Sequence, residues 1–486
     1  MEGAEAEAES QSEPRPEQPG SPQPPHVVVV GGGIAGMVAA RELAVGGVRV
    51  TLLEASAVLG GKVARHTVAG IPLDAGAESF ATRGGTVAAF LAGLCLGDAV
   101  VHPNPAGAWL QPADGAPVPL PKAGLLGIPG TPMAADVIAV IGRRAALRAQ
   151  VDSLLGYIGY KERTLGGLVR RRMGRAVLEQ LVAPVTMGVH SRHPDELELD
   201  VVAPGLRSAF LSTVSLAQAV QKLRSAAPAG SAVAGIDGGI FRLVETLEAR
   251  LVALGVLLRT GARVAGVEAG QVVLVDGEVI AADRVVLACQ PPFTEPVKAG
   301  GVAQVAELVE VQQPVETPGI VLATLVVRAP ELDAAPRGTG LLVAAGADGI
   351  RAKALTHSTA KWPWLAARTD PGTHILRLSY SAESAPGEPG ELRELRELRE
   401  PGEPGELREQ ARADAERLLG VPIPASSVLG FDRVEWARPA PAATTPDSAA
   451  PDGVVVVGEG VSGTGLAAVI AQAKQESGNL LSDLAQ

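Results

Sequence analysis

Gly31, Gly33 and Gly36 stand at G-x-G-x-x-G spacing directly after four valines, Val27 to Val30. A phosphate docked on bare backbone N–H groups requires such spacing, because a Cβ at these positions would hold it off. Ile34 and Ala35 separate the last two glycines and lead into a stretch of helix formers, residues 37–43. The valine run suits a strand buried on both faces of a parallel sheet. A second strand, residues 48–53, ends in Glu54, eighteen residues past Gly36, with Ala55 next. A carboxylate there can accept ribose hydroxyls, so the unit predicts a dinucleotide site.

A second glycine pair, Gly60-Gly61, precedes Lys62 one short turn past the second strand. Leu73-Asp74-Ala75-Gly76-Ala77-Glu78-Ser79 then closes another extended segment. NAD dehydrogenases have no need of the second pair. Flavoproteins with a long, buried FAD use it to pass the chain close to pyrophosphate and ribitol, so FAD is the expected cofactor. The far end repeats the theme, with valines at 454–457 leading into Gly458, Gly460, Gly463, Thr464 and Gly465 and an apolar helix at 466–473. No second strand with a ribose-binding acid follows. The expected use is a helix N-terminus aimed at the flavin end of the same FAD.

The elements that position these residues fit an α/β chain of two or three domains, 486 residues long. Its net charge of −11 and 3% aromatic content argue against a nucleic-acid partner. Cys95 and Cys289 stand in unrelated contexts and read as two buried thiols of a cytoplasmic protein. The seven histidines form no metal-type pair, so no metal is expected. No uncharged apolar run reaches membrane-spanning length, so no transmembrane segment is expected. Residues 1–25, rich in glutamate and proline, read as a disordered acidic tail rather than a signal peptide.

Along the chain, residues 26–118 form the expected first part of an FAD-binding domain and 119–230 a helical insertion capping the substrate. There the run Arg170-Arg171-Arg172 reads as a solvated helix face. Residues 231–300 supply the second part of the FAD domain, with a helix at 241–254 and strands at 263–267, 272–275 and 284–288. Residues 301–436 form a mixed-sheet substrate domain, with strands at 319–328 and 374–380 and a low-complexity loop at 386–409. Residues 451–486 return to the FAD domain. The expected fold class is α/β: a Rossmann-like FAD-binding domain, a mixed-sheet substrate domain and a helical insertion.

The glycine loop, Glu54, Gly60-Gly61-Lys62 and the closing Gly463-Thr-Gly-Leu-Ala-Ala resemble the FAD-dependent amine-oxidase-like superfamily. Further stretches narrow the resemblance to the porphyrinogen oxidases of haem biosynthesis, nearest their soluble coproporphyrinogen III branch. They are Leu73–Ser79, Pro119-Leu-Pro-Lys122, Gly127-Ile-Pro-Gly130, Leu165-Gly-Gly-Leu-Val-Arg-Arg-Arg-Met-Gly174, Leu181-Val-Ala-Pro184 with Gly188-Val, and Lys353-Ala-Leu-Thr-His-Ser-Thr-Ala-Lys-Trp362. The resemblance implies oxidation of a porphyrinogen to a porphyrin by hydride transfer to flavin N5, with O2 as electron acceptor. Little is then required of side chains beyond orientation.

By position, the resemblance puts Gly31, Gly33 and Gly36 at the pyrophosphate, Glu54 at the ribose and Val264 at the adenine. Gly61, Lys62 and the turn of Gly76, Ala77, Glu78 and Ser79 fall near pyrophosphate and flavin, and Trp436, Gly463, Thr464 and Gly465 near the isoalloxazine. Arg83, His357 and Lys361 are the candidate partners of substrate propionates at the pocket rim. Val58 stands where the family carries an arginine, and residues 437–453 are shorter than the corresponding family segment. Protoporphyrinogen oxidation, another flavin amine oxidase activity and a non-catalytic FAD-binding paralogue remain the alternatives.

Overall fold

The computed structural model describes residues 24–82, 84–122, 124–189, 192–225, 233–268, 270–289, 319–381, 405–436 and 453–485. The acidic tail up to residue 23, residues 386–404 of the low-complexity stretch, and residues 437–452 lie outside them.

A five-stranded parallel sheet carries the opening motif. Its order is Leu257–Arg259, Arg49–Leu53, His26–Val30, Arg284–Leu287 and Val454–Val456. The valine run is central because it is apolar on both sides. Val27 and Val29 enter the core beneath helix Ile34–Val45, whereas Val28 and Val30 enter the core on the opposite face. Full burial of one such side chain contributes roughly 1.5–3 kcal/mol. Helices Arg242–Ala253 and Leu466–Leu484 share the first face. The antiparallel meander Val264–Glu268, Gln271–Leu274 and Val279–Ala281 covers the second. Three separate stretches of chain thus build one nucleotide-type layer.

A seven-stranded sheet forms the second layer, in the order Val428–Trp436, Ile320–Arg328, Thr373–Ser381, Ala354–His357, Gly340–Val343, Trp109–Gln111 and Val118–Pro119. All its pairings are antiparallel except that of Gly340–Val343 with Trp109–Gln111. Trp109–Gln111 comes from the stretch 26–118 that the sequence assigns to the FAD domain and Val118–Pro119 straddles its end, so the boundary between layers differs from the linear one. One face packs Val321, Ala323, Leu376, Leu378 and Tyr380 under helix Glu406–Leu419. That helix includes residues 406–409, the end of the low-complexity stretch.

Helices between Ala135–Gln150 and Leu216–Ser225 form a third core of their own. The arginine run corrects the reading of a solvated face. Arg170 pairs with Asp195 and Arg171 with Glu162 near the surface, but Arg172 is fully buried. Its Nε lies 2.6 Å from Asp152 Oδ1, and its terminal nitrogens donate to the carbonyls of Asp152, Gly156, Ile158 and Val214. The guanidinium stacks 4.7 Å from the Phe210 ring. Helical periodicity places Arg172 on the inner face of Leu165–Met173, so a charge that composition alone puts in water ties the helices together.

Candidate active site at the junction of the two sheets

Gly31 has φ of +106°, and its N–H donates to the Leu53 carbonyl at 2.7 Å. A Cβ on Gly36 would stand 1.9 Å from the Gly31 oxygen, so helix and strand meet at a distance only glycine allows. Gly33 differs: its Cβ would meet nothing within 4 Å, so its surface faces open space at the start of helix Ile34–Val45. Gly60 donates to the Gly32 carbonyl at 2.8 Å, and a Cβ on Gly61 would come within 3.3 Å of the Gly33 Cα. The two glycine pairs therefore form one cradle. The open side of Gly33 is the space a side chain would fill, which fits a pyrophosphate.

Glu54 is fixed beside this cradle. Its carboxylate accepts from the Gly32 N–H at 2.6 Å and from the N–H and hydroxyl of Ser56 at 2.8 Å. The backbone after Glu54, with Ala55, holds the loop before Val264 through Ala262 N–H to Glu54 carbonyl, 2.9 Å, and Gly261 N–H to Ser56 carbonyl, 2.7 Å. Glu54 and Val264, 210 positions apart, thus share one corner. Cys289 adjoins it, its thiol pushed up to about 12 by burial and by the negative charge of Glu54. Cys95, in contrast to the expectation of a buried thiol, is exposed. Val58 is exposed as well.

The closing glycines reach the same cradle. A Cβ on Gly458 would lie 3.3 Å from that of Ala35, and the Lys62 ammonium stands 2.6 Å from Glu459 Oε2. Gly463 has φ of +79°, and a Cβ there would stand 3.6 Å from Val201 of the helical insertion. Thr464 and Gly465 are exposed ahead of helix Leu466–Leu484.

The turn at 74–79 joins the two layers. Asp74 accepts from the N–H groups of Ile240 at 3.1 Å and Phe241 at 2.9 Å, just before helix Arg242–Ala253. Burial nonetheless pushes its carboxyl up to about 6. A Cβ on Gly76 would stand 1.8 Å from the Lys62 oxygen. Ala77 donates to that same oxygen at 3.3 Å, and Ser79 is half-buried. Trp436 donates its indole N–H to the Ala75 carbonyl at 3.2 Å, its ring against Gly76, and Arg377 donates to the Gly76 carbonyl. Glu78 meets the Lys361 ammonium at 2.5 Å, the Arg377 guanidinium at 3.7 Å and the Ser358 hydroxyl at 3.4 Å. Burial alone would raise the Glu78 carboxyl, but Lys361 and then Arg377 outweigh it and hold it below the usual range.

The substrate candidates separate here. Lys361 lies at the junction, but its charge is engaged by Glu78. His357 is corrected from a rim cation to an interior group: it is fully buried, its Nε2 lies 3.0 Å from His374 Nδ1, and burial with that neighbour pushes it down to about 3. Arg83 lies outside the described residues. Sequence reasoning did not single out Arg377 or its surroundings. The strand Thr373–Ser381 ends in alternation, with Arg377, Ser379 and Ser381 half-buried between buried Leu376, Leu378 and Tyr380. Across the sheet Leu322, Ala354, Thr356 and Leu342 are half-buried on the same face. That period of two was the available signal. The result is a face of half-buried side chains on the side of the sheet that carries Trp436 and Arg377, with Leu342 at its edge against the helical core.

A family model described as flavin containing amine oxidoreductase matches residues 34–315. Coproporphyrinogen III oxidase of Mycobacterium leprae is 29% identical over 367 residues, covering 72% of this chain and 76% of that protein. Its counterpart from Mycobacterium bovis is 30% identical over 342 residues, covering 69% and 73%. Among solved structures, one from Exiguobacterium assigned to protoporphyrinogen oxidase superposes with a TM-score of 0.74 at 22% identity, covering 94% of this chain and 99% of that one. Putrescine oxidase superposes with a TM-score of 0.61 at 13% identity, covering 94% and 99%. At these identities the structural likeness establishes the fold: an FAD-binding layer beside a mixed sheet.

Proposed function

The chain belongs to the flavin-containing amine oxidoreductase family, and from that premise we propose that it oxidises coproporphyrinogen III to coproporphyrin III, with FAD as its cofactor and dioxygen as electron acceptor. The names of its bacterial relatives support the substrate class. The observation that carries the reading is the half-buried sheet face of Leu322, Leu342, Ala354, Thr356 and Ser379, on the side that carries Trp436 and Arg377. A face of small and aliphatic side chains suits a broad macrocycle. A small amine is better served by an enclosed aromatic cage, which a chain with 3% aromatic residues is poorly equipped to build.

FAD, when bound, supplies the hydride acceptor. The chain's own groups bind and orient. Gly33 lets backbone approach a pyrophosphate, while Gly31, Gly36 and Gly61 allow strand, helix and second glycine turn to pack closely around it, with the positive end of helix Ile34–Val45 behind. Glu54, held by Gly32 and Ser56, presents a fixed carboxylate to a ribose. Lys62 brings positive charge to the cradle, next to Glu459. Asp74, Trp436, Arg377 and Lys361 lock the 74–79 turn from four directions. Rigidity there matters, since a misplacement of ~1 Å can cost roughly a hundredfold in rate.

Anaerobic mixing with coproporphyrinogen III or protoporphyrinogen IX tests the reading. Coproporphyrinogen should bleach the flavin absorbance faster, and air should restore it with release of peroxide. Faster bleaching by protoporphyrinogen would transfer the assignment to the two-propionate substrate. No bleaching by either, with flavin bound, would leave a non-catalytic FAD protein.

A further inference from the structure

A small cavity of mixed lining lies against the 74–79 turn, where Leu73, Leu365 and Ile375 meet the polar groups of His66, Glu78 and Arg377. We infer that it binds water, and that His66 with Asp432 passes protons between that water and the surface. The catalytic purpose of the relay rests on the oxidase reading; the water site rests on geometry alone.

His66 lies on strand Arg65–Val68, and its side chain is 1% exposed. Its Nδ1 stands 2.6 Å from Asp432 Oδ2, and its Nε2 is buried with no partner. The indole nitrogen of Trp364, on the same cavity wall, is likewise buried and unpartnered. Two buried, unpartnered nitrogens on residues that line one space large enough for a water molecule point to a hydration site, because leaving both unsatisfied is costly. Thr324 pairs in register with Asp432 on one side and Arg377 on the other, so these three form one row across the sheet. The Asp432 end is 26% exposed, and the Arg377 end touches Gly76 and Glu78. The row therefore runs from solvent to the turn beside the substrate wall.

Such a row has a use. For each hydride a porphyrinogen gives up from carbon, it also releases one proton, from a pyrrole N–H or a methylene bridge, and that proton must reach bulk water. With Nδ1–H donated to Asp432, the neutral His66 ring offers its Nε2 lone pair to the cavity. A proton taken from cavity water at Nε2 gives an imidazolium held by Asp432. The Nδ1 proton then passes to the carboxylate and on to bulk water. One proton enters, one leaves, and no electrons move. The ring, now carrying its proton on Nε2, regains the original tautomer by swinging to the surface, where it releases that proton to bulk water and takes one at Nδ1, so no proton returns to the cavity.

A crystal structure of the FAD-bound protein should show an ordered water within hydrogen-bond distance of both His66 Nε2 and Trp364 Nε1. A dry cavity, or a direct protein partner on His66 Nε2, overturns the site whatever the activity. For the relay, single turnovers with coproporphyrinogen III are followed by flavin bleaching and by a pH indicator in weak buffer. In the wild type, proton release should track bleaching. In His66→Gln, which keeps a polar group toward the water but cannot carry a proton, release should lag by about a hundredfold. His66→Phe should show the same lag and lose the water. Release that still tracks bleaching in His66→Gln overturns the relay. Absence of bleaching in the wild type instead refutes the oxidase reading and removes the relay's purpose, while the water site stands or falls on the crystal.

Discussion

The Lys361 ammonium stands 2.5 Å from Glu78 Oε1, and each side chain is only 16% exposed. The contact joins the flank of the substrate sheet to the turn beside the FAD cradle. Substituting Lys361→Met leaves a buried carboxylate with Arg377 at 3.7 Å as its remaining cation. The expected loss is about 3 kcal/mol of stability, seen in urea unfolding. The double variant with Glu78→Gln should recover most of it. A role for Lys361 in substrate choice would instead change kcat/KM unequally for coproporphyrinogen and protoporphyrinogen; the ion pair predicts equal losses.

Gly33→Val separates cofactor binding from folding. A Cβ at this position meets no atom within 4 Å beyond its chain neighbours, and Gly33 has an ordinary φ of −70°. The variant should therefore melt like the wild-type apoprotein but purify without yellow flavin absorbance. Gly36→Ala should fail differently, because its Cβ would collide with the Gly31 carbonyl at 1.9 Å. There the apoprotein itself should be destabilised. A Gly33→Val protein that retains stoichiometric flavin would remove this loop from the cofactor site.

Asp74 should make stability depend on pH. Its folded carboxyl is pushed up from 3.8 to about 6 by burial, so the native state holds the proton more tightly than the unfolded chain. Stability from this group is present below pH ~4 and lost as pH rises to ~6, a change on the order of 3 kcal/mol. Asp74→Asn cannot titrate. Relative to wild type it should gain stability across that interval and show a constant difference above pH ~7. Chemical unfolding at a series of pH values checks this, and parallel curves would show that Asp74 titrates normally.

Arg172 should prove the most sensitive of the three consecutive arginines. Arg172→Met strands the Asp152 carboxylate in a core where both side chains are at most 1% exposed. The expected cost is about 3–5 kcal/mol. Arg171→Met, at a side chain 59% exposed, should stay within ~1 kcal/mol of wild type. Equal effects in thermal melts would contradict the buried placement.

The nucleotide layer was legible because its requirements are local. The valine run, the glycine spacing and Glu54 sit within thirty positions of one another, and each element has the periodicity its burial demands. The strands at 319–328 and 374–380 were legible for the same reason. The junction was not. Arg377, Trp436 and Lys361 converge on the 74–79 turn from more than 280 positions away, and no local pattern records that meeting. His357 shows the opposite failure. As a polar residue near Lys361 it reads as a rim group, yet the strand Ala354–His357 turns it toward His374 in the interior. Arg172 is hidden in a run of three charges, and only its phase on helix Leu165–Met173 turns it inward. The assignment of Trp109–Gln111 to the second sheet depended on a parallel pairing more than 200 residues along the chain.

The outermost strand of the parallel sheet, Val454–Val456, pairs with Arg284–Leu287, and the helix after it covers the opening helix. Synthesis runs from one end, so the ribosome adds 428 residues between His26 and Val454, roughly half a minute or more of elongation. Throughout that interval the valines at 27–30 lack their complete cover, and from its own synthesis until Val454 is added Arg284–Leu287 presents a bare, apolar edge to any neighbouring chain. Nascent chains should therefore engage a holding chaperone until helix Leu466–Leu484 emerges, and flavin capture, which stabilises only the folded form, should follow its docking.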